Sequence, residues 1–298
     1  MVEYNKHNHN EFHNFVLSSL PFEDSSSTTT SSRGKSSSSA IQSNSEESPD
    51  LKARKNLYNY HAIEFFQNFM LTPPAPANVP YPTEGLDRDF YSQIGQDKRM
   101  DQILQQKRNG FFIEVGAYDG VAYSNSLFFE QSRGWTGLLI EANPRAYREL
   151  LAKDRKAYST PACLAINKNV LIGATFFASG MDGAINEGVA SSSAKQEDVY
   201  QYPVKANCFP LNVMLDAIGV SHVDMFSLDV EGHELAVLKT IDWSRITISL
   251  LTVEHNGKKK ELDAFMIDGL GYEKQYFQGH QDVMYLHKNA TLGKGMEN

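Results

Sequence analysis

A doubly wound α/β sheet, mostly parallel and closed by an antiparallel hairpin, is the fold class that this 298-residue sequence predicts. Three observations carry the prediction. Continuous apolar runs such as FFIEVGA (111–117) and VDMFSLDV (223–230) are of the type buried on both faces of a parallel sheet. Helix-like segments separate these runs at regular intervals. The two last strand-like runs, YEKQYF and DVMYLHK, follow one another with no helix between them.

Taken in order, residues 1–50 are a Ser/Thr-rich tail of low complexity, too poor in apolar surface to offset the entropy of ordering. Apolar positions 57, 60, 63, 66 and 70 have helical spacing, and PPAPANVPYP (73–82) is a stiff extended linker within 51–86. The domain proper spans 87–290, before a flexible 291–298. It opens with a helix over DRDFYSQIGQDKRMDQILQQK, ended by Gly110, and the strand at 111–117. A helix at SNSLFFEQS is closed by Gly134, and WTGLLIEAN (135–143) is the second strand. Asn143 caps the next helix, with Pro144 at its first position. STPACLAI (159–166) is the third strand, its start confined to an edge by Pro161, and ATFFAS (174–179) an added one. After the polar SSSAKQED, CFPLNVMLDAIG is a helix, VDMFSLDV the fourth strand, HELAVLKTI a helix, TISLLTVEH (247–255) the fifth strand and KKELDAFMIDGL a helix.

The net charge of −8 gives no electrostatic case for nucleic acid or an anionic membrane, and Lys258–Lys260 read as a solvated helix end. No apolar run approaches the ~20 residues of a membrane span. The N-terminus lacks a signal pattern, so a cytoplasmic protein is expected, with the secretory pathway as the alternative for a truncated N-terminus. Cys163 and Cys208 form no disulfide framework and no CxxC zinc pair. Two buried thiols in a reducing compartment are expected. A single bridge stays open, because both fall near one end of the sheet.

EVGAYDG (114–120) sits where the first strand ends, and in such sheets ligands bind beyond the carboxyl ends of strands. Gly116 and Gly120 permit close backbone approach. The G-x-G-x-x-G of a dinucleotide site and the P-loop lysine are absent. Asp119 would repel phosphate and suit a cationic group, and Glu141, ending the second strand, can accept two ribose hydroxyls. A ribose without phosphate beside a positive centre describes S-adenosylmethionine.

FFIEVGAYDGVAYSNSLFFEQSRGWTGLLIEANP, with DMFSLDVEGHELAVLKTIDW and the lead-in YSQIGQDKRMDQIL, resembles the FkbM-type methyltransferase family over roughly residues 90–288. The resemblance implies a seven-stranded class I methyltransferase (Rossmann-like) sheet, S-adenosylmethionine as cofactor, and transfer to a hydroxyl oxygen of a small molecule or glycan. By position, Glu114, Gly116, Ala117, Asp119 and Gly120 would line the methionine side, with Ser124 and Asn125 close by. Glu141 and Ala142 would hold the ribose. The third strand reads LAINKN where an acid often meets the adenine amine, which leaves Ala165 or Asn167 in that place. The animal Star proteins carry a similar domain, and a catalytically silent adaptor is the competing reading.

The fourth strand ends in SLDVEGHE. Asp229, Glu231 and His233 are the catalytic candidates, since the protein must align the acceptor and take its proton. His233 has the most suitable ordinary pKa but begins a helix. Asp229 with Glu254 and His255, at the end of the fifth strand, could present a divalent metal to the acceptor hydroxyl. The plain alternative is that Asp229, Glu231 and Glu234 cap a helix and offset its dipole.

Overall fold

The computed structural model describes residues 49–82, 86, 88–179, 182–185, 202–279 and 281–294. The expected tail up to residue 48, most of the polar stretch 179–201 and the last four residues lie outside these. The chain divides into two units, Met1–Phe65 and Phe66–Asn298, each described by itself. In the first, Pro49–Phe65 form helix α1, where Tyr60 Oη donates to Glu64 at 2.8 Å. Leu57 and Tyr60, placed by their spacing on an apolar face, are both exposed.

The second unit is built on a seven-stranded sheet. Its strands are β1 (Phe111–Val115), β2 (Thr136–Ile140), β3 (Tyr158–Thr160), β8 (His222–Leu228), β9 (Thr247–Glu254), β10 (Tyr272–Gln275) and β11 (Asp282–His287). Their order is β10-β11-β9-β8-β1-β2-β3. β1, β2, β3, β8 and β9 run parallel, and β11 lies antiparallel between β9 and β10. The parallel doubly wound sheet with its closing hairpin is therefore present. Phe112, Ile113, Leu138, Leu139, Phe226, Leu250 and Leu251 are fully buried in it. Each contributes about 1.5–3 kcal/mol by leaving water.

Four expectations need correcting. The lead-in helix is short: α2 covers only Gln96–Ile103. Asp97 accepts the N–H groups of Tyr91 (2.6 Å) and Ser92 (3.1 Å), which holds residues 91–95 as a loop. Gln105 and Gln106 have positive φ and stop the helix early. The third strand is two strands. Pro161 cannot continue the ladder, so the chain leaves the main sheet after β3 and β4 (Ala162–Leu164) joins a second one. That sheet, β4-β7-β5-β6, adds β5 (Leu171–Ser179), β6 (Asp182–Ile185) and β7 (Tyr202–Phe209). Only part of β5 was legible, and β7 takes Cys208 and Phe209 from the helix read there, which starts at Leu211. Lastly, Cys163 and Cys208 are bridged, lying opposite one another in the β4–β7 register, so neither thiol is free.

The Pro-rich stretch packs along the sheet edge. Thr72 exchanges two backbone hydrogen bonds with Ser159, and Ala75 N–H donates to the Arg155 carbonyl. Among the described residues, no helix is long and apolar enough to cross a membrane.

Candidate active site

A cavity of about 270 Å³ opens at the carboxyl ends of β1, β2, β4, β8 and β9. This placement follows from topology. Strands 1 and 8 are neighbours, and the chain leaves each on an opposite side of the sheet, which opens a crevice. Glu114, Gly116, Asn125, Glu141, Ala142, Asp229, Glu231 and Glu254, all singled out in the sequence, line it together.

In the half of the cavity over β1 and β2, both carboxylates are satisfied by the fold. Glu114 is 3% exposed. Its Oε1 accepts from Asn125 N–H at 2.6 Å, and its Oε2 from the hydroxyls of Ser124 (2.9 Å) and Ser126. Burial pushes its carboxyl up, while the Arg155 guanidinium and these hydrogen bonds pull it down. Glu141 accepts Tyr118 N–H at 2.8 Å and Asn143 N–H at 2.7 Å, and burial raises its carboxyl to about 7. Gly116 has φ +77°, and a Cβ there would lie 3.1 Å from the Asp229 carbonyl oxygen. Glycine thus lets the ends of β1 and β8 touch.

The predicted residues divide in two. Asp119 turns away from the cavity: its Oδ1 accepts Val121 and Ala122 N–H groups, and its Oδ2 lies 3.7 Å from Lys153 Nζ. It shapes the loop rather than the cavity wall. Ala117, Gly120 and Ser124 are not in the lining, and of the three Ser124 donates to the lining carboxylate of Glu114. Ala165, expected beside adenine, pairs its N–H with the Phe209 carbonyl. Asn167 accepts from Asn169 N–H. The wall at that place is Ala162, Cys163 and Leu164, because β4 has moved to the second sheet. Asn125 donates to Ser227 Oγ at 2.8 Å, and its own Oδ1 is buried without a partner.

The half over β8 and β9 is different. Asp229, Glu231 and Glu254 can each bring a carboxylate oxygen within 4.8 Å of the others. Among the described residues lining the cavity there is no lysine or arginine. Asp229 keeps an exposed side toward the cavity, while protein crowds its carboxyl from the others. Burial, then the charges of Glu254 and Glu231, push its carboxyl far up. Glu254 is also raised, chiefly by burial, and accepts a hydrogen bond from Asp229. Both carboxyls therefore hold a proton more readily than an ordinary acid. Glu231 has φ +52°, an uncommon conformation that turns the chain from β8 toward α6 (Glu234–Thr240).

Helix electrostatics belongs to Glu234, whose Oε1 accepts the N–H groups of Val230 (3.2 Å) and Gly232 (2.9 Å). His233 sits at the helix N-cap and His255 at the turn after β9, where its Nδ1 accepts Gly257 N–H. Neither lines the cavity, and Glu231 stands where His255 was expected in the acidic trio. Sequence reasoning missed Ser227, Thr252 and Asp282. The first two lie two residues before Asp229 and Glu254, so strand alternation puts each pair on one face. Asp282 begins β11 opposite Glu254, and only the antiparallel insertion of that strand brings it there.

The family model of the FkbM methyltransferase domain matches residues 114–282. No curated protein sequence matches. Among solved structures, the chain is similar to methyltransferase FkbM from Methylobacillus flagellatus KT, at 13% identity and TM-score 0.37, over 80% of this chain and 52% of that one. It is also similar to the human methyltransferase 10 domain containing protein, at 10% identity and TM-score 0.32, over 78% and 95% of the two chains. A third is the METTL16 methyltransferase domain, at 11% identity and TM-score 0.35, over 77% and 78%. The chain thus spans about half the length of the Methylobacillus protein.

Proposed function

The chain belongs to the FkbM methyltransferase family, and on that premise we propose that it is an S-adenosylmethionine-dependent methyltransferase acting on a hydroxyl oxygen of a small molecule or glycan. The observation that carries the proposal is the division of one cavity into a satisfied half and an acidic half. Glu141 would take the ribose hydroxyls, while Ala142, Ala162, Cys163 and Leu164 offer an apolar wall to the adenine. Asn125 Oδ1, buried and unpartnered, is an acceptor for a donor on the cofactor. Bound there, the cofactor supplies an activated methyl group on a sulfonium.

The acidic half would serve the acceptor. Asp229 and Glu254 are both raised in proton affinity and hydrogen-bonded to each other, so the pair, once ionised, can accept the proton of an acceptor hydroxyl as its oxygen bonds to the methyl carbon. Such a base is worth about 10²–10⁴-fold in rate. Glu231 would orient the acceptor. Calorimetry with S-adenosylmethionine and S-adenosylhomocysteine tests the cofactor reading. Micromolar binding is expected; a well-folded protein that binds neither is an adaptor of the Star-like kind.

A second reading of the same acids is a divalent cation held by Asp229, Glu231 and Glu254. It is favoured by Thr252, whose hydroxyl is buried and unpartnered on the face that carries Glu254. Oxygen-only ligands suit a hard cation such as magnesium. Methyl transfer insensitive to a chelator would rule it out. The Cys163–Cys208 bridge is of the kind that persists in oxidising compartments, which favours the secretory pathway over the cytoplasm.

A further inference from the structure

Behind the loop that follows β1 lies a buried cation that the proposed chemistry does not use. Arg155 stands on the connection between α4 (Pro144–Leu151) and β3. Its side chain is 2% exposed and that of its partner Glu130 fully enclosed, with Arg155 Nε donating to Glu130 Oε2 at 3.0 Å. The rest of the guanidinium reaches three points of one loop. Nη1 donates to the Gly120 carbonyl and to Ser124 Oγ (3.5 Å), and Nη2 donates to Ser126 Oγ at 2.9 Å. Ser124 and Ser126 in turn donate to Glu114 Oε2. Each hydroxyl accepts from one side and donates to the other, so the chain of bonds has a fixed direction.

We infer that Arg155 is a positioning residue for the cofactor half of the site, holding the 120–126 loop and, through Ser124 and Ser126, the Glu114 carboxylate at the cavity wall. The inference rests on the cofactor reading above. Three features support it. The cation lies between two buried carboxylates, Glu130 and Glu114, and its charge opposes the upward push that burial gives the Glu114 carboxyl at the cavity wall. Its donors diverge in one plane, a geometry that lysine cannot reproduce. At Gly120, a Cβ would approach Leu150 Cγ at 3.1 Å and Arg155 Cγ at 3.6 Å, so glycine lets this turn sit against the arginine. A buried ion pair alone is weak evidence for stability. Here most of the guanidinium's hydrogen bonds go to the loop rather than to the paired acid.

The test measures S-adenosylmethionine and S-adenosylhomocysteine affinity by calorimetry, with melting temperature recorded in parallel. Arg155→Met should weaken S-adenosylmethionine at least tenfold and S-adenosylhomocysteine less, because the Glu114 charge favours the sulfonium. Arg155→Lys should restore part of the difference. Ser126→Ala keeps the ion pair and should give a smaller loss with the same selectivity; with the lysine variant, it decides the matter if the methionine variant does not fold. Equal losses for both ligands, or unchanged affinities, would overturn the inference. Wild-type protein that binds neither ligand would instead remove the cofactor reading, and this inference with it.

Discussion

The two halves of the cavity use the same residue type in opposite ways. Over β1 and β2, Glu114 and Glu141 are buried and accept hydrogen bonds from neighbouring backbone and hydroxyl groups. Over β8 and β9, Asp229, Glu231 and Glu254 crowd together with no basic residue among the described wall. One set is finished by folding, while the other keeps three carboxylates crowded together even though Asn256 donates to Glu254 at 2.6 Å. A preorganised half costs nothing to assemble when the cofactor arrives. Burial and crowded like charges raise the affinity of the carboxyls in this frustrated half for a proton.

Breaking the frustrated half should have the largest effect. Asp229→Asn is expected to lower methyl transfer by about 10²–10⁴-fold while S-adenosylmethionine affinity stays within threefold. An equal fall in affinity would mean that the halves are not separable. The wall of the finished half comes next. The bridge lines the cavity at Cys163 and ties β4 to β7. Replacing both cysteines by serine should cost about 2–4 kcal/mol of stability, read as a lower midpoint in urea. An unchanged midpoint would show that the second sheet holds without it.

A finer probe of the finished half is Glu141, whose carboxyl burial raises to about 7. Ribose hydroxyls favour its ionised form, so binding should release a proton and tighten as pH rises from 6 to 8. Glu141→Gln should bind about tenfold more weakly and lose that pH dependence. A glutamine variant that keeps the wild-type pH profile would place the ribose elsewhere.

The finished half was easier to read in the sequence than the frustrated one. Gly116 and Glu141 stand at ends of strands whose apolar runs are unambiguous, and the parallel order carries them to one crevice. Asp119 was misleading because an aspartate in a loop can serve its own turn, and only the hydrogen bonds of Val121 and Ala122 reveal that. Arg155 gave no local signal; its role exists because α4 returns it beneath a loop whose contacts lie 29 to 35 residues earlier. The second sheet was hidden by Pro161, which looked like the start of one strand and is the gap between two. In the acidic half, strand alternation could have found Ser227 and Thr252. No pattern distinguishes Glu231 from His255 as the third member, since that depends on the turn at Glu231.

The smallest effect sharpens the comparison through stability. Asp229, Glu254 and Glu141 all have carboxyls raised above their ordinary values, first by burial. Between the unfolded and the folded pKa, the native state holds more protons than the unfolded chain, so stability must fall as pH rises through that window. For Glu141 the window runs from the ordinary carboxylate range to about 7. For Asp229 it extends further, because the charges of Glu254 and Glu231 add to burial. The ligand-free protein should therefore melt at a lower temperature at pH 8 than at pH 5. Asp229→Asn removes the group with the widest window, so its melting temperature should fall less over the same range and exceed that of the wild type at pH 8. A variant that gains stability as it loses activity is expected of a site that crowds like charges for its ligand. Parallel pH curves for the two proteins would mean that the acids of β8 and β9 are as well satisfied as those of β1 and β2.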